Sequence, residues 1–419
     1  MAELKPFRAI RPAQGLEDKI AALPYDVYSS AEAREVVKEE PMSFLRIDRA
    51  ETQLPEGVDI YSSRVYQKAH DLLWDMVKQK AFIREEESCY YIYELVYQGR
   101  VQDGIVACAS IDDYVNGVIK KHENTRAEKE EDRIRHISAC EAQTGPIFLA
   151  YRQRDNIRKL VDRVREDEPV YDFQTSDGVT HRVWIISDKK MISFITQAFD
   201  QMDHIYIADG HHRAASAVKV GLRKREEYPQ YTGKEAFNYF LCVLFPDSQL
   251  KIMDYNRVIK DLNGWSEEDF LKLLETRFEI EKSRQAVSPQ EKGCFGMYLG
   301  NCWYRLHFKG ADDLLSGKDA AVKALDVSIL QDYVLNPILG IQDPKTDRRI
   351  DFIGGIRGLS ELERRVKSGW AVAFSMYPTS MQELFAIADQ GLLMPPKSTW
   401  FEPKLRSGLF IHSLQDLTE

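Results

Sequence analysis

Asp209, His211, His212 and Arg213 place four ionisable side chains within five positions of an otherwise apolar run, "HIYIADGHHRAASAVKVG" at 204–221. "HIYIA" has the β-branched and aromatic content of a buried strand, and "AASAVKV" suits a helix, so the cluster falls where a strand hands over to a helix. With Asp209 as N-cap, Gly210, His211, His212 and Arg213 form the first turn, and Gly221 ends the helix. That turn carries unpaired N–H groups and about half a positive charge from the helix dipole. Arg213 and any protonated imidazole add to it. A bound anion reverses the problem, because phosphate at a helix start is stabilised by amides and dipole together. Gly210 would let the backbone approach it closely. Two other arrangements use the same residues: an Asp209–Arg213 ion pair with neutral histidines in a core turn, or a divalent metal on Asp209 and the histidines. Adjacent helical side chains diverge by about 100°, which weighs against two neighbouring histidines holding one ion.

A second charged stretch, "KKHENTRAEKEEDRIRH" at 120–136, lies within a predicted helix over 118–140. His122, Arg126, Lys129, Arg133 and His136 recur at intervals of four and three and share one face if the whole stretch is helical. With almost no apolar residues, such a helix is either a solvated, salt-bridged face or is anchored by specific polar partners. Glu123 and Asp132 are candidate bases or metal-binding carboxylates. Near the C-terminus, "MPPKSTWFEPKLRSG" (394–408) is a proline-stiffened loop carrying Lys397, Ser398, Thr399, Lys404 and Arg406. It is either a structural cap or a source of phosphate donors. "GGIRG" at 354–358 lacks the spacing and the lysine of a P-loop and is expected to be a turn.

These residues must be positioned by a mixed α/β (α+β) chain. Predicted elements include a capped helix after Ser29 or Ser30, a strand at "SFLRI" (43–47), a helix over 61–79 and a hairpin turning at Gln98–Gly99–Arg100. Further strands fall at "GPIFLAY", "THRVWIIS", "NYFLCVLF" and "LKIMDYNRVI", the last two continuing the sheet that holds "HIYIA". A closing strand–helix–strand unit is expected over "WAVAFSMYP", "TSMQELFAIADQG" and "GLFIHSL". The 419 residues suggest two or three domains, with a boundary near 250. The net charge of −9 disfavours a protein that coats DNA or anionic lipid. Six cysteines form no CxxC pair and no metal-ligand spacing, as expected of buried thiols in a reducing compartment. "MAELKPFRAIRP" lacks a signal-peptide core and no apolar run approaches ~18 residues, so a cytoplasmic protein is expected, with no membrane partner.

"LPYDVYSSAEAR", "SFLRID", "IKKHENTRAEKEEDRIRH", "GPIF", "IADGHHRAASA" and "MPPKSTWFEPKLRSGL" together resemble a bacterial and archaeal family known as domain of unknown function ten-fifteen, over about residues 6–412. Its members are often labelled ParB-like, and "DGHHRAASA" resembles the phosphate loop of the ParB/sulfiredoxin superfamily and of its free-serine kinase branch. The resemblance implies a ParB/sulfiredoxin-like nucleotide-binding core at 1–250, with a C-terminal mixed α/β region at 251–419 completing or capping the site. It further implies phosphate contacts from Gly210, His211, His212 and Arg213, joined by Arg126, Arg133, Lys397, Ser398 and Thr399. Asp209, His211 and Glu123 are the catalytic candidates, ATP or ADP the nucleotide, and magnesium an ion for Asp209. The kinase's catalytic carboxylate matches no single position; Asp26, Glu32 and Glu123 are the candidates. No helix-turn-helix follows residue 221, so DNA is not an expected partner, and histidine stands where sulfiredoxin has its cysteine. The expected function is a phosphotransferase acting on a nucleotide and a small hydroxylated metabolite such as serine, compatible with a homodimer. The alternatives are a nucleotide-responsive regulatory protein without turnover, and a metal-dependent hydrolase built on Asp209, His211 and His212 with His122 or His136.

Overall fold

The computed structural model describes residues 1–310 and 317–415. The chain is mixed α/β and forms two compact units, Met1–Leu250 with the chain from Pro403 onward, and Lys251–Glu402. The chain from Pro403 onward thus belongs to the first unit rather than to a C-terminal region starting at 251.

The first unit is built on a nine-stranded sheet. Its order runs Ile119–Lys120, Ile205–Asp209, Ile147–Tyr151, Tyr239–Pro246, Arg100–Ser110, Tyr90–Tyr97, Thr180–Ile186 and Tyr171–Gln174, with Leu4–Lys5 paired to Arg100–Ser110. The hairpin of Tyr90–Tyr97 and Arg100–Ser110 turns through Gln98 and Gly99, both at positive φ, which matches the right-handed twist of the flanking strands. One core fills the space between the sheet and the helices Asp155–Val164, Lys189–Asp200 and His211–Glu227, with Leu149, Ile157, Phe199, Ile207, Val218 and Leu244 buried in it. A second core gathers Ala33, Phe44, Leu73 and Phe82 around the helices Ser30–Glu39 and Ser63–Lys78.

Several sequence expectations are corrected. "SFLRI" is not a strand: Leu45–Asp48 forms a short helix that buries Phe44, Leu45 and Ile47. An apolar run this short has no periodicity to separate the two states. Residues 118–140 are not one helix. Ile119–Lys120 pairs in parallel with Ile205–Tyr206, and the helix begins only at Ala127. Tyr255–Ile259 does not extend the first sheet but pairs with Ile350–Gly354 and Val372–Ser375 in the second unit. That unit's sheet has six antiparallel strands, ordered Phe278–Ser283, Cys302–Phe308, Cys294–Leu299, Val372–Ser375, Tyr255–Ile259, Ile350–Gly354. "GLFIHSL" closes no strand–helix–strand unit, because His412–Ser413 pairs with Ala142–Gln143 in the first unit.

Gly221 does not end its helix, which runs on to Glu227. Its role is close packing: a Cβ there would stand 2.3 Å from the Phe237 carbonyl oxygen and 2.8 Å from Ile111 Cδ1. In an unconstrained helix, replacing glycine by alanine stabilises by about 1 kcal/mol. Here the overlap with backbone outweighs that gain, since overpacking costs about 1–3 kcal/mol. Gly221→Ala is therefore expected to lower the urea midpoint with an unchanged m-value, a net loss of about 1–2 kcal/mol.

Candidate functional site

The strand Ile205–Asp209 meets its neighbour out of step: Ile207 pairs with Leu149, but Asp209 pairs with Phe148. This irregularity re-aims the last residues of the strand and sets up the sharp entry into the helix His211–Glu227. The N-cap is Gly210 at φ 92°, not Asp209. Left-handed backbone suits glycine, and an added Cβ would also press within 3.1–3.2 Å of the Arg213 guanidinium. Asp209 stays on the strand, where its Oδ1 accepts from the Gly210 amide at 2.9 Å.

The other carboxylate oxygen of Asp209 faces Lys404 Nζ at 3.3 Å and Arg213 Nη2 at 3.9 Å. Burial alone would raise this carboxyl's pKa, but Lys404 and Arg213 outweigh it and hold it well below the usual carboxylate range. The side chain remains 37% exposed. Arg213 is further held by the Pro146 carbonyl, which accepts from Nη1 at 2.5 Å. The amides of His211, His212 and Arg213 precede the first intrahelical bond, which runs from the Ala214 amide to the Gly210 carbonyl.

The three histidines beside this turn differ sharply. His212 Nε2 accepts from the Arg126 amide at 3.0 Å, which ties the loop 121–126 to the helix start. His122, from that same loop, packs edge-on against His211 with ring centroids 4.5 Å apart. Both rings are buried, and neither Nε2 has a hydrogen-bond partner. Burial pushes His122 down to about 4, although Asp209 and a bond to the Ile207 backbone pull the other way. Burial, reinforced by His122, puts His211 well below the ordinary imidazole value. His122 and Arg126 therefore do not share a helical face with Lys129, Arg133 and His136, because they precede the helix Ala127–Cys140.

That helix is anchored by polar partners. Ser216 Oγ donates to the Glu130 carbonyl at 3.0 Å, Lys219 pairs with the Glu130 carboxylate, and the Tyr66 hydroxyl donates to Asp132 at 2.9 Å. Arg133 is buried, bonded to Asp132 at 2.8 Å, with its guanidinium 3.8 Å above the centre of the Tyr25 ring. Burial would lower its pKa, but Tyr25, Asp132 and Asp48 raise it further. Buried Asp48 accepts from Thr144 Oγ1 at 2.9 Å.

Arg133, Tyr25, Asp48 and His136 form the wall common to two clefts. One, of about 450 Å³ including its open mouth, also reaches Gly145, Arg213 and Ser407. The other, of about 760 Å³ including its open mouth, is lined by Asp26, Arg49, Glu51, Lys129 and Asp132. Asp26 lies close enough to raise the proton affinity of His212. A continuous arrangement thus links the helix start, through Arg213 and Arg133, to a carboxylate-rich chamber. Sequence reasoning brought His122 to His211 only in the hydrolase alternative, with His136 as its equal, and it missed Asp48, Glu51 and Tyr25.

The remaining candidates are placed as follows. Glu32 closes a capping box with Ser29, accepting from the Ser29 amide at 2.8 Å. Glu123 is half-buried on the loop beside His122 and lines neither cleft. Arg126 is exposed at the N-cap of its helix. Lys397, Ser398 and Thr399 belong to the second unit, where the Ser398 hydroxyl donates to the Pro395 carbonyl at 2.6 Å and Lys397 Nζ stands 5.5 Å from the Tyr255 ring centre. Arg406 is buried on Thr175 and Asp177. Asp209, His211 and His212 do not converge as metal ligands. Among the described residues, the one such group is Glu291, Cys294 and His307. Nor does Asp209 suit magnesium by itself, since its free oxygen already faces two cations.

The profile described as protein of unknown function (DUF1015) matches residues 4–328. The chain belongs to this family. A search of curated proteins finds no match. Among solved structures, this family member is similar to a conserved hypothetical protein from Pyrococcus furiosus at 13% identity, covering 75% of this chain and 97% of that one, with a TM-score of 0.35. SbnI with a C-terminal truncation, from Staphylococcus aureus, is 13% identical over 74% of this chain and 89% of its own, at 0.39. A free serine kinase in complex with AMP is 15% identical over 74% and 92%, at 0.34. Likeness this distant says nothing of ligand or reaction. No helix among the described residues is long and apolar enough to cross a membrane.

The buried imidazoles give the site an acid-sensitive stability. An unfolded histidine takes up its proton near pH 6.5; folded His122 does so only near 4. His122's neutral form therefore imposes no loss above about pH 6.5. Below that, stability drains until about pH 4, by on the order of 3 kcal/mol from His122 alone. Buried His412, also lowered to about 4 by burial, adds to the same slope. Melting temperature is expected to fall steeply between pH 6.5 and 4, and His122→Gln should flatten the slope. An unchanged slope would place the histidine's titration elsewhere.

Proposed function

We propose that the first unit is a nucleotide-dependent phosphotransferase that binds nucleotide phosphates at the start of the helix His211–Glu227 and a small hydroxylated metabolite, of which serine is an example, in the chamber lined by Asp26 and Glu51. The observation that carries this reading is the helix start itself. The Gly210 amide, Arg213 and Lys404 surround one carboxylate, the three amides that follow have no intrahelical acceptor, and two buried imidazole nitrogens have no protein partner. A phosphate there meets amide donors and net positive charge, and its own negative charge would raise the proton affinity of the otherwise neutral His122 and His211, so that either could donate to it once it is bound.

The likeness of "DGHHRAASA" to the ParB/sulfiredoxin phosphate loop supports the same placement. Arg133 lies between the phosphate end and the chamber and lines both clefts. It is suited to neutralise charge on the transferring group, since phosphoryl transfer depends mainly on positioning and electrostatic stabilisation. The bond between the terminal phosphorus and its bridging oxygen breaks as the substrate oxygen bonds to phosphorus. The hydroxyl proton passes to a carboxylate, for which Asp26 is better placed than Glu123 or the capping Glu32. Asp209 orients the turn by holding the Gly210 amide, Lys404 and Arg213 together.

Thermal shift and product assays separate the parts of this reading. ADP or ATP at 100 times its Kd should stabilise the protein by about 2.7 kcal/mol. Arg213→Lys, which keeps the charge but loses the fork, should bind at least tenfold more weakly. Asp26→Asn should keep the nucleotide shift and lose phosphorylation of a hydroxylated-metabolite panel by about 10²–10⁴-fold. The absence of any nucleotide shift in the wild type would sink the phosphate site. A shift without turnover on any substrate would leave a nucleotide-responsive regulator instead.

A further inference from the structure

The second unit carries a cluster that the phosphate site does not use. Cys294 and His307 face one another across the antiparallel ladder of Cys294–Leu299 and Cys302–Phe308. Cys294 Sγ lies 3.1 Å from His307 Nδ1, and 3.7 Å from Oε1 of Glu291. The three ligand atoms all lie within 4.8 Å of one another. Around a tetrahedral zinc ion, sulfur, nitrogen and oxygen ligands stand about 3.5 Å apart, given Zn–S of about 2.3 Å and Zn–N or Zn–O near 2.1 Å. The cluster needs only a small opening of the thiol–imidazole contact to reach that geometry.

The surroundings point the same way. Cys294 is buried, whereas Glu291 and His307 are exposed, so an ion could enter from one side. Asp326 is 7% exposed; one of its oxygens accepts from the amide of Gly293, next to Cys294, and the other has no partner. An unpartnered carboxylate oxygen in a buried setting costs free energy that a neighbouring cation would recover.

We propose that Glu291, Cys294 and His307 bind a zinc ion through Oε1, Sγ and Nδ1, leaving a fourth position for water within the field of Asp326. A thiolate and an imidazole select zinc over magnesium or calcium. The ion would tie both strands of the hairpin to the preceding loop. Binding converts the Cys294 thiol to a thiolate and releases its proton to solvent, so affinity rises with pH.

Cobalt(II), a spectroscopic stand-in for zinc, tests this on the full chain kept reduced with a non-thiol reductant. One equivalent should give a thiolate-to-metal charge-transfer band and the visible bands of a four-coordinate ion, and zinc should displace it. Cys294→Ser should abolish the charge-transfer band, while His307→Gln and Glu291→Gln should each weaken binding at least tenfold. Cys302→Ser should behave as the wild type. If Cys294→Ser fails to fold, the two variants at the exposed positions decide the matter. No thiolate band in the wild type, or one that survives in a folded Cys294→Ser, would overturn the site.

Discussion

Positive charge converges on one carboxylate at the start of the helix His211–Glu227. Lys404 and Arg213 both face the free oxygen of Asp209, and the helix dipole adds about half a charge more. One negative charge does not balance two full cations and a dipole. The turn nevertheless holds because Gly210 adopts a left-handed conformation that lets the guanidinium of Arg213 lie against it, and because Pro146 accepts from that guanidinium. The histidines beside the turn are kept neutral by burial, which avoids adding more charge of the same sign. An anion at the helix start would offset this surplus, which is the basis of the proposed phosphate site.

The rest of the first unit serves that arrangement. Segments distant in sequence are brought to one strand end: the loop 121–126 supplies His122 and the Arg126 amide, Lys404 comes from near the C-terminus, and the Tyr25–Asp26 turn closes the clefts. Arg133 lines both clefts. A buried guanidinium is tolerable only with partners, and Asp132, Asp48 and the face of Tyr25 provide them. These partners fix the guanidinium between the two clefts instead of letting it seek solvent.

Much of this was legible in the sequence wherever local pattern decided the structure. The strand-to-helix handover at 205–227, the capped helix start after Ser29 and the hairpin at Gln98–Gly99 all follow from residue types at short range. The anchoring of the charged helix was also visible as a need, since residues 120–136 carry few apolar side chains; the structure adds the burial of Ile134, Ile137 and Cys140 to its polar partners. What the sequence did not expose were relations set by tertiary structure. Gly221 looks like a helix stop until the Phe237 backbone is seen against it. His122 looks helical until its loop is tied down by strand pairing on one side and His212 on the other. Asp209 and Lys404 lie 195 positions apart, and no spacing rule joins them. The same holds for Cys294 and His307, whose meeting depends on the register of a hairpin.

The most direct measurement is a crystal structure of the chain with ADP. Phosphate oxygens are expected within hydrogen-bond reach of the His211, His212 and Arg213 amides, with the Arg213 guanidinium turned onto the phosphate and the Nε2 of His122 or His211 engaged. Phosphates bound away from this turn, with Asp209, Lys404 and Arg213 unchanged and both imidazoles still unpartnered, would contradict the proposed phosphate site.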